Sequence, residues 1–420
     1  PTWNSVNVGL SRLLLGRAPD DPVVPQRLPA GLSVAEARPR LAAWEQAGGL
    51  VLEHVQPPQR AEAIPSSPAA PDAAMLVARV LDRQIDTQWR RTSYSGLVRA
   101  AEGVATVRIS EPEEAGTVDE DSSADDDVVA PAPSAPREGP PSPMADLPAG
   151  AGFGSLIHGV LEHADPQAAD LGAELAAVVG EQLRWWPVDA SVEDLVAGLL
   201  PVHDTSLGPI ADGATLRDLG FDDRLRELDF EIPLAGGDRP DVEAAEVRLG
   251  QMGDVLRRHL PADDPLAGYA DHLGGPLGEQ ALRGYLSGSI DVVLRVGPPT
   301  AQRYVVVDYK TNRLGGPDRP LTALDYTPTA MAESMTHSHY PLQALLYSVV
   351  VHRFLRWRLA GYDPETHLGG IAYLYVRGMC GPATPIVEGM PCGVFTWRPP
   401  AAAIVELSDL LAGRATGTAS

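Results

Sequence analysis

The feature that most constrains this chain is a pair of apolar strands, each ending in a carboxylate. Tyr285 to Val296 alternates as a half-buried strand should, Gly297-Pro-Pro299 breaks it, and Tyr304-Val-Val-Val-Asp308 follows. Glycine and proline in that gap read as a hairpin, so the two strands are expected to pair antiparallel. Asp291, in Gly288-Ser-Ile-Asp291, and Asp308, seventeen residues later, then converge. In a strand, residues i and i+2 share a face, so Asp308 and Lys310 project together. Two carboxylates held this close repel unless a cation lies between them. Mg²⁺ suits such a place, being a hard ion with oxygen ligands that also accepts phosphate oxygens. A lone Asp-x-Lys at a strand end is also a common surface pair, so the rest of the chain has to decide.

Further elements follow from period and punctuation. Phe153, Ile157, Val160 and Leu161 fit one helical face. Ala173 to Leu183 and Val192 to Leu200 read as helices, and Arg226 to Pro233 as a strand. Tyr340 to Leu359 reads as a long amphipathic helix. Gly370 to Val376 and Gly393 to Trp397 read as strands, and Ala403 to Leu411 as a last helix. Before them, residues 1–100 mix short apolar runs (Leu10 to Leu15, Leu50 to Val55) with proline breaks and a helix over Ala73 to Trp89. They resemble the tail of another domain. Residues 101–147 change character, with Glu111-Pro-Glu-Glu114, Asp119-Glu-Asp121, Asp125-Asp-Asp127 and Pro131-Ala-Pro-Ser-Ala-Pro136. Like charge with little apolar surface cannot offset the entropy of ordering, so a disordered acidic linker is expected. The domain-like part is 148–420.

The net charge of −23 weighs against strong binding of duplex DNA by this chain alone. A large share of the excess sits in the acidic segment, and if the chain acts on DNA, something else has to deliver the strand. Two cysteines, Cys380 and Cys392, exclude a disulfide framework or a four-cysteine metal site within these residues. No apolar run reaches the roughly 18 residues of a membrane span. The chain opens on Pro1, so a piece of a longer polypeptide is expected. His337 and His339 read as loop residues near phosphates or in solvent. Trp185, Trp186 and Trp357 read as core or subunit-interface residues.

Four short motifs in order, Gly-x-x-x-His at 154–158, Gly-x-Ile-Asp at 288–291, Asp-Tyr-Lys at 308–310 and Gln-x-x-x-Tyr at 343–347, resemble the signature of the RecB-type nucleases of the PD-(D/E)xK superfamily. Two flanking stretches strengthen it: Trp89-Arg-Arg-Thr-Ser-Tyr-Ser-Gly-Leu97 and His367-Leu-Gly-Gly-Ile-Ala-Tyr-Leu-Tyr-Val-Arg-Gly378. The resemblance implies an α/β restriction-endonuclease-like core, a mixed central sheet flanked by helices. It implies Mg²⁺ ligated by His158, Asp291, Asp308 and the backbone carbonyl of Tyr309, with Lys310 as catalytic lysine. Gln343 and Tyr347 would line the site, and Glu227 would support it. It further implies a bacterial cytoplasmic enzyme cutting DNA fed by a motor, with RecC-like and RecD-like partners and ATP used only in a helicase part beyond these residues. Two other functional readings exist: a catalytically silent copy of the fold that serves as a docking module, and a stand-alone nuclease. Retention of Asp308 and Lys310 disfavours the first. The acidic charge and the 89–97 stretch disfavour the second.

Overall fold

The computed structural model describes residues 33–46, 88–101, 138–237, 246–316 and 319–414. The chain divides into two compact units, Pro1–Arg83 and Gln84–Ser420. In the first, the described residues form one helix, α1 (Val34–Gln46). The stretches Leu10 to Leu15, Leu50 to Val55 and most of Ala73 to Trp89 lie outside the described residues, as does most of the acidic segment.

The second unit is an α/β sandwich built on one mixed sheet. Its spine is β3 (Gly284–Val296), which pairs antiparallel with β2 (Arg224–Pro233) on one side and with β4 (Arg303–Lys310) on the other. β5 (Leu368–Tyr375) adds parallel to β4, and β6 (Val394–Trp397) adds antiparallel to β5. The expected hairpin forms at Gly297, whose φ of +89° lies in the left-handed region that favours glycine. Central strands covered on both faces carry nearly continuous apolar runs, as β4 does with Val305, Val306 and Val307 all buried.

Each face of the sheet is closed by helices. On one, α3 (Ala151–His163), α4 (Leu171–Gln182) and α5 (Val192–Asp204) pack Leu156, Val160, Leu175 and Leu199 against Val305, Val307 and Leu374. Asp170 and Ser191 cap the second and third of these, each side chain accepting from a backbone N–H of the first turn. On the other face, α6 (Gly250–His259), α7 (Pro328–His337), α8 (Tyr340–Arg358) and α9 (Ala401–Leu411) pack against Val306, Ile371 and Phe395. The long helix α8 corrects the amphipathic expectation: every residue from Tyr340 to His352 is buried. It lies between the sheet and α9, and a helix covered on two sides needs no polar stripe. Among the described residues no helix is long and apolar enough to cross a membrane.

Two stretches read from sequence as lying outside the domain contribute to it. β1 (Arg90–Thr92) pairs parallel with Gly284–Leu286 of β3, and α2 (Tyr94–Ala101) buries Tyr94 and Leu97 in the core. Gly284 sits at this junction with φ +105°, and a Cβ there would stand 2.1 Å from Arg90 O, so only glycine lets the strands meet. Residues 138–147 of the acidic segment are likewise ordered. Ser142 N–H donates to Leu321 O at 2.9 Å, and Met144 is fully buried. Here the charge density has fallen and the apolar residues have partners, so ordering is offset by burial.

His203 in α5 is completely buried, with Nδ1 3.1 Å from Leu199 O. Burial lowers its pKa from 6.5 to about 4. Between those values the unfolded chain takes up a proton that the folded chain refuses. The stability this supplies is therefore fully present above pH 6.5 and is lost as pH falls toward 4, by about 3 kcal/mol at most. Urea midpoints taken at neutral pH and near pH 4 should show it, and His203→Gln should reduce the dependence. Equal pH dependence in both proteins would refute this assignment.

Candidate active site

The β3–β4 ladder runs from Val296↔Arg303 to Val292↔Val307. One step further, the same register sets Asp291 opposite Asp308, and there the strands part. The Asp291 carboxylate takes over from the ladder, accepting the Tyr309 N–H at 2.9 Å. From the other layer, α3 brings His158 between them. Its Nε2 lies 2.8 Å from Tyr309 O and its Nδ1 lies 3.4 Å from Asp291 Oδ2. Both ring nitrogens thus face oxygen acceptors. Burial opposes the charge on Asp291, yet His158, the Tyr309 N–H and Lys310 together hold its carboxyl below the usual carboxylate range.

Glu227 stands across β3 from this group. The β2–β3 register passes from Arg226↔Val292 to Leu228↔Ile290, which places Glu227 beside Asp291. Its φ is +42°, a conformation that costs a non-glycine residue about 1 kcal/mol or more. Burial and the neighbouring Asp291 charge push its pKa up to about 7, against the stabilising hydrogen bond from the Ser289 hydroxyl at 3.0 Å. Positive φ and burial beside a second carboxylate both make this glutamate costly to keep at that position.

Lys310 and Asp308 share a face, as the strand period requires. Lys310 is 1% exposed, and its Nζ lies 2.7 Å from Asp308 Oδ2. The Tyr340 ring, from the first turn of α8, lies 4.2 Å from the ammonium and the Tyr373 ring of β5 lies 5.5 Å from it. Gln343 and Tyr347 share a face of α8, and Gln343 Nε2 donates to Tyr347 Oη at 3.2 Å. Both are buried, so they stand behind the site instead of lining an open surface.

The donors that meet are one imidazole, one carboxylate and one carbonyl. His158 Nε2 and Tyr309 O are in hydrogen-bond contact at 2.8 Å, so an ion taking both as ligands would replace the proton between them. Asp308 is not gathered with them, because Lys310 engages it. Accordingly, among the described residues no three His, Cys, Asp or Glu side chains form a ready metal cage. The chemistry of the donors fits a hard divalent ion, with Asp308 completing the set only by turning from Lys310.

Other residues fall outside the site or were not foreseen. His339 adopts φ +55° at the start of α8 and its Nδ1 lies 3.1 Å from Tyr269 Oη, so it is a helix-entry residue. Trp185 and Trp357 are 77% and 76% exposed, so of the two expected places, core or subunit interface, they do not take the first. Both cysteines are free thiols. Tyr340, Tyr373 and Ser289 carry no motif of their own; Tyr340 could be suspected only from standing three residues before Gln343.

Known proteins give the site its setting. No family model matches the chain. It is 54% identical over 419 residues to the RecBCD enzyme subunit RecB of Mycolicibacterium smegmatis, a match over 98% of this chain and 37% of that protein. The corresponding subunit of Mycobacterium tuberculosis is 52% identical over 422 residues, 98% of this chain and 36% of that protein. The Escherichia coli subunit is 30% identical over 345 residues, 81% of this chain and 24% of that protein. The chain spans little more than a third of the length of these relatives. It belongs to the RecB family, whose members are subunits of RecBCD enzymes, and corresponds to their C-terminal part.

Proposed function

We propose that this site is a Mg²⁺-dependent deoxyribonuclease centre, on a restriction-endonuclease-like core of the PD-(D/E)xK type. It would serve a bacterial, cytoplasmic, DNA-end-processing helicase-nuclease in double-strand break repair. In this reading residues 148–420, with the 88–101 and 138–147 stretches packed into their core, form the nuclease domain, and the residues before 88 include the end of a helicase domain. The acidic segment is a tether, DNA is fed by the motor, RecC-like and RecD-like subunits are the partners, and ATP is used outside this chain. The observation that carries the reading is the meeting of His158, Asp291 and the Tyr309 carbonyl beside the Asp308–Lys310 pair.

His158, Asp291, Asp308 and the Tyr309 carbonyl would hold the ion. When bound, Mg²⁺ supplies a Lewis acid for the phosphate and makes a bound water more acidic. Lys310 would orient the attacking water and offset the charge that builds on the phosphoryl oxygens. Glu227, beside Asp291 and held by the Ser289 hydroxyl, would support the site.

The test is cleavage of end-labelled single-stranded DNA by the assembled enzyme with Mg²⁺, with EDTA, and with Asp308→Ala. Metal-dependent cutting that falls at least about a hundredfold in the variant is expected. Cleavage indifferent to Asp308→Ala would remove the assignment. Absence of both cleavage and Mg²⁺ binding in the assembled wild type would favour a docking module.

A further inference from the structure

Lys310 has a long flexible stem, and its ammonium must point to one place if it is to orient a nucleophile. The structure surrounds it with aromatic rings. Tyr340 and Tyr373 stack at 5.8 Å between centroids, 16° from parallel, and the Tyr340 ring is presented to the ammonium at 4.2 Å. Asp308 meets the same ammonium at 2.7 Å, so carboxylate and ring fix it together. The rings are themselves anchored. Tyr373 Oη donates to Gln343 Oε1 at 2.9 Å and to Tyr340 O at 3.2 Å, while Gln343 donates onward to Tyr347 Oη. Tyr340 Oη lies 3.5 Å from Asn312 Oδ1, two residues beyond Lys310. Both ends of the Gln343 amide are engaged, Oε1 by the Tyr373 hydroxyl and Nε2 by Tyr347 Oη, so the amide is turned to the ring pair.

We propose that Tyr340 and Tyr373 are positioning residues that hold the Lys310 ammonium over a π face, and that Gln343 and Tyr347 act on catalysis through Tyr373 without touching DNA. The inference rests on the nuclease reading above and deepens it. A cation held by a quadrupole depends on the electron density of the ring and not on the phenolic hydroxyl. A residue that acts through Lys310 changes turnover and leaves DNA affinity alone.

The experiment compares kcat and KM on labelled single-stranded DNA for the assembled enzyme carrying Tyr340→Leu, Tyr340→Phe, Gln343→Met or Lys310→Ala. Leucine at 340 should lower kcat about tenfold or more at unchanged KM, and phenylalanine should retain it within about twofold. Gln343→Met should lower kcat, again without raising KM. Should the leucine variant fail to fold, phenylalanines carrying one and then three fluorines at 340 replace it. Their size is nearly that of phenylalanine while the ring quadrupole weakens stepwise, so kcat should fall in the same order. Full activity with leucine or with the trifluorinated ring overturns the proposal. So does a phenylalanine variant as slow as leucine, or a Gln343→Met effect confined to KM. The Lys310→Ala arm separates the two levels: activity retained there defeats the nuclease reading itself, whereas activity lost there and retained in Tyr340→Leu defeats only the aromatic cradle.

Discussion

Replacing Lys310 by alanine is expected to lower DNA cleavage by two to three orders of magnitude and to weaken the fold at the same time. Under the proposed function, the rate loss would follow from removing a preorganised charge at the reacting phosphate, worth about 10²–10³ in turnover. The stability loss follows from burial. Lys310 and Asp308 are 1% and 3% exposed, and alanine would leave the Asp308 carboxylate buried without its partner. Breaking such a pair on one side costs about 3–5 kcal/mol, whereas replacing both partners by apolar groups of similar volume is often nearly neutral. The double variant Asp308→Ala with Lys310→Met should therefore recover most of the stability and none of the activity. Urea denaturation and cleavage assays on the single and double variants distinguish the contributions. A double variant as unstable as the single one would show that the pair is not the source of the loss.

The second large effect is expected at Arg377, in the His367–Gly378 stretch but with no catalytic role. Its side chain is completely buried and lies 4.7 Å over the Phe153 ring. Nε donates to Thr311 O at 2.7 Å, Nη1 to Met144 O at 2.7 Å and to Leu147 O at 3.3 Å, and Nη2 to Pro148 O. One guanidinium thus ties the segment leading into α3, the helix of His158, to the residue that follows Lys310. Arg377→Met leaves several buried carbonyls without that donor, at about 1–3 kcal/mol each. A total loss of about 4 kcal/mol or more is expected. Lysine should rescue little, since its three donors on one nitrogen cannot span carbonyls that the planar fork reaches. A urea midpoint shift worth less than about 1 kcal/mol for Arg377→Met would contradict this account.

Much of this was legible in residue order. The hairpin, the placement of Asp291 opposite Asp308 and the shared face of Asp308 and Lys310 follow from strand period and a glycine-proline break, which are local. The helices at Ala151–His163 and Tyr340–Arg358 follow from apolar spacing within a few residues of their expected ends. What period could not supply was partnership. Arg90–Thr92 is too short for alternation to register, and it becomes a strand only because Gly284 leaves room beside β3. The helix Gly250–His259 ends in Arg257, Arg258 and His259 and carries few apolar residues, so its buried Met252, Val255 and Leu256 gain meaning only against α9. The polar face read on α8 is buried, because α9 covers what an isolated helix would show to water.

Residue order sets which chemical groups this chain has to offer and where along it they stand: one imidazole, two carboxylates, a lysine, and a pair of strands to bring three of them near one point. Period and turn chemistry act over a few residues, and those distances suffice for a hairpin and an i, i+2 pair. What surrounds them comes from packing between distant elements. That packing set His158 against the Tyr309 carbonyl from a helix 151 residues away, turned Asp308 to Lys310, and closed Tyr340 and Tyr373 over the ammonium. It also set Glu227 in a strained conformation beside Asp291. These are consequences of packing between elements distant in sequence, where burial strengthens each charge and each ring contact, and no local pattern encodes them.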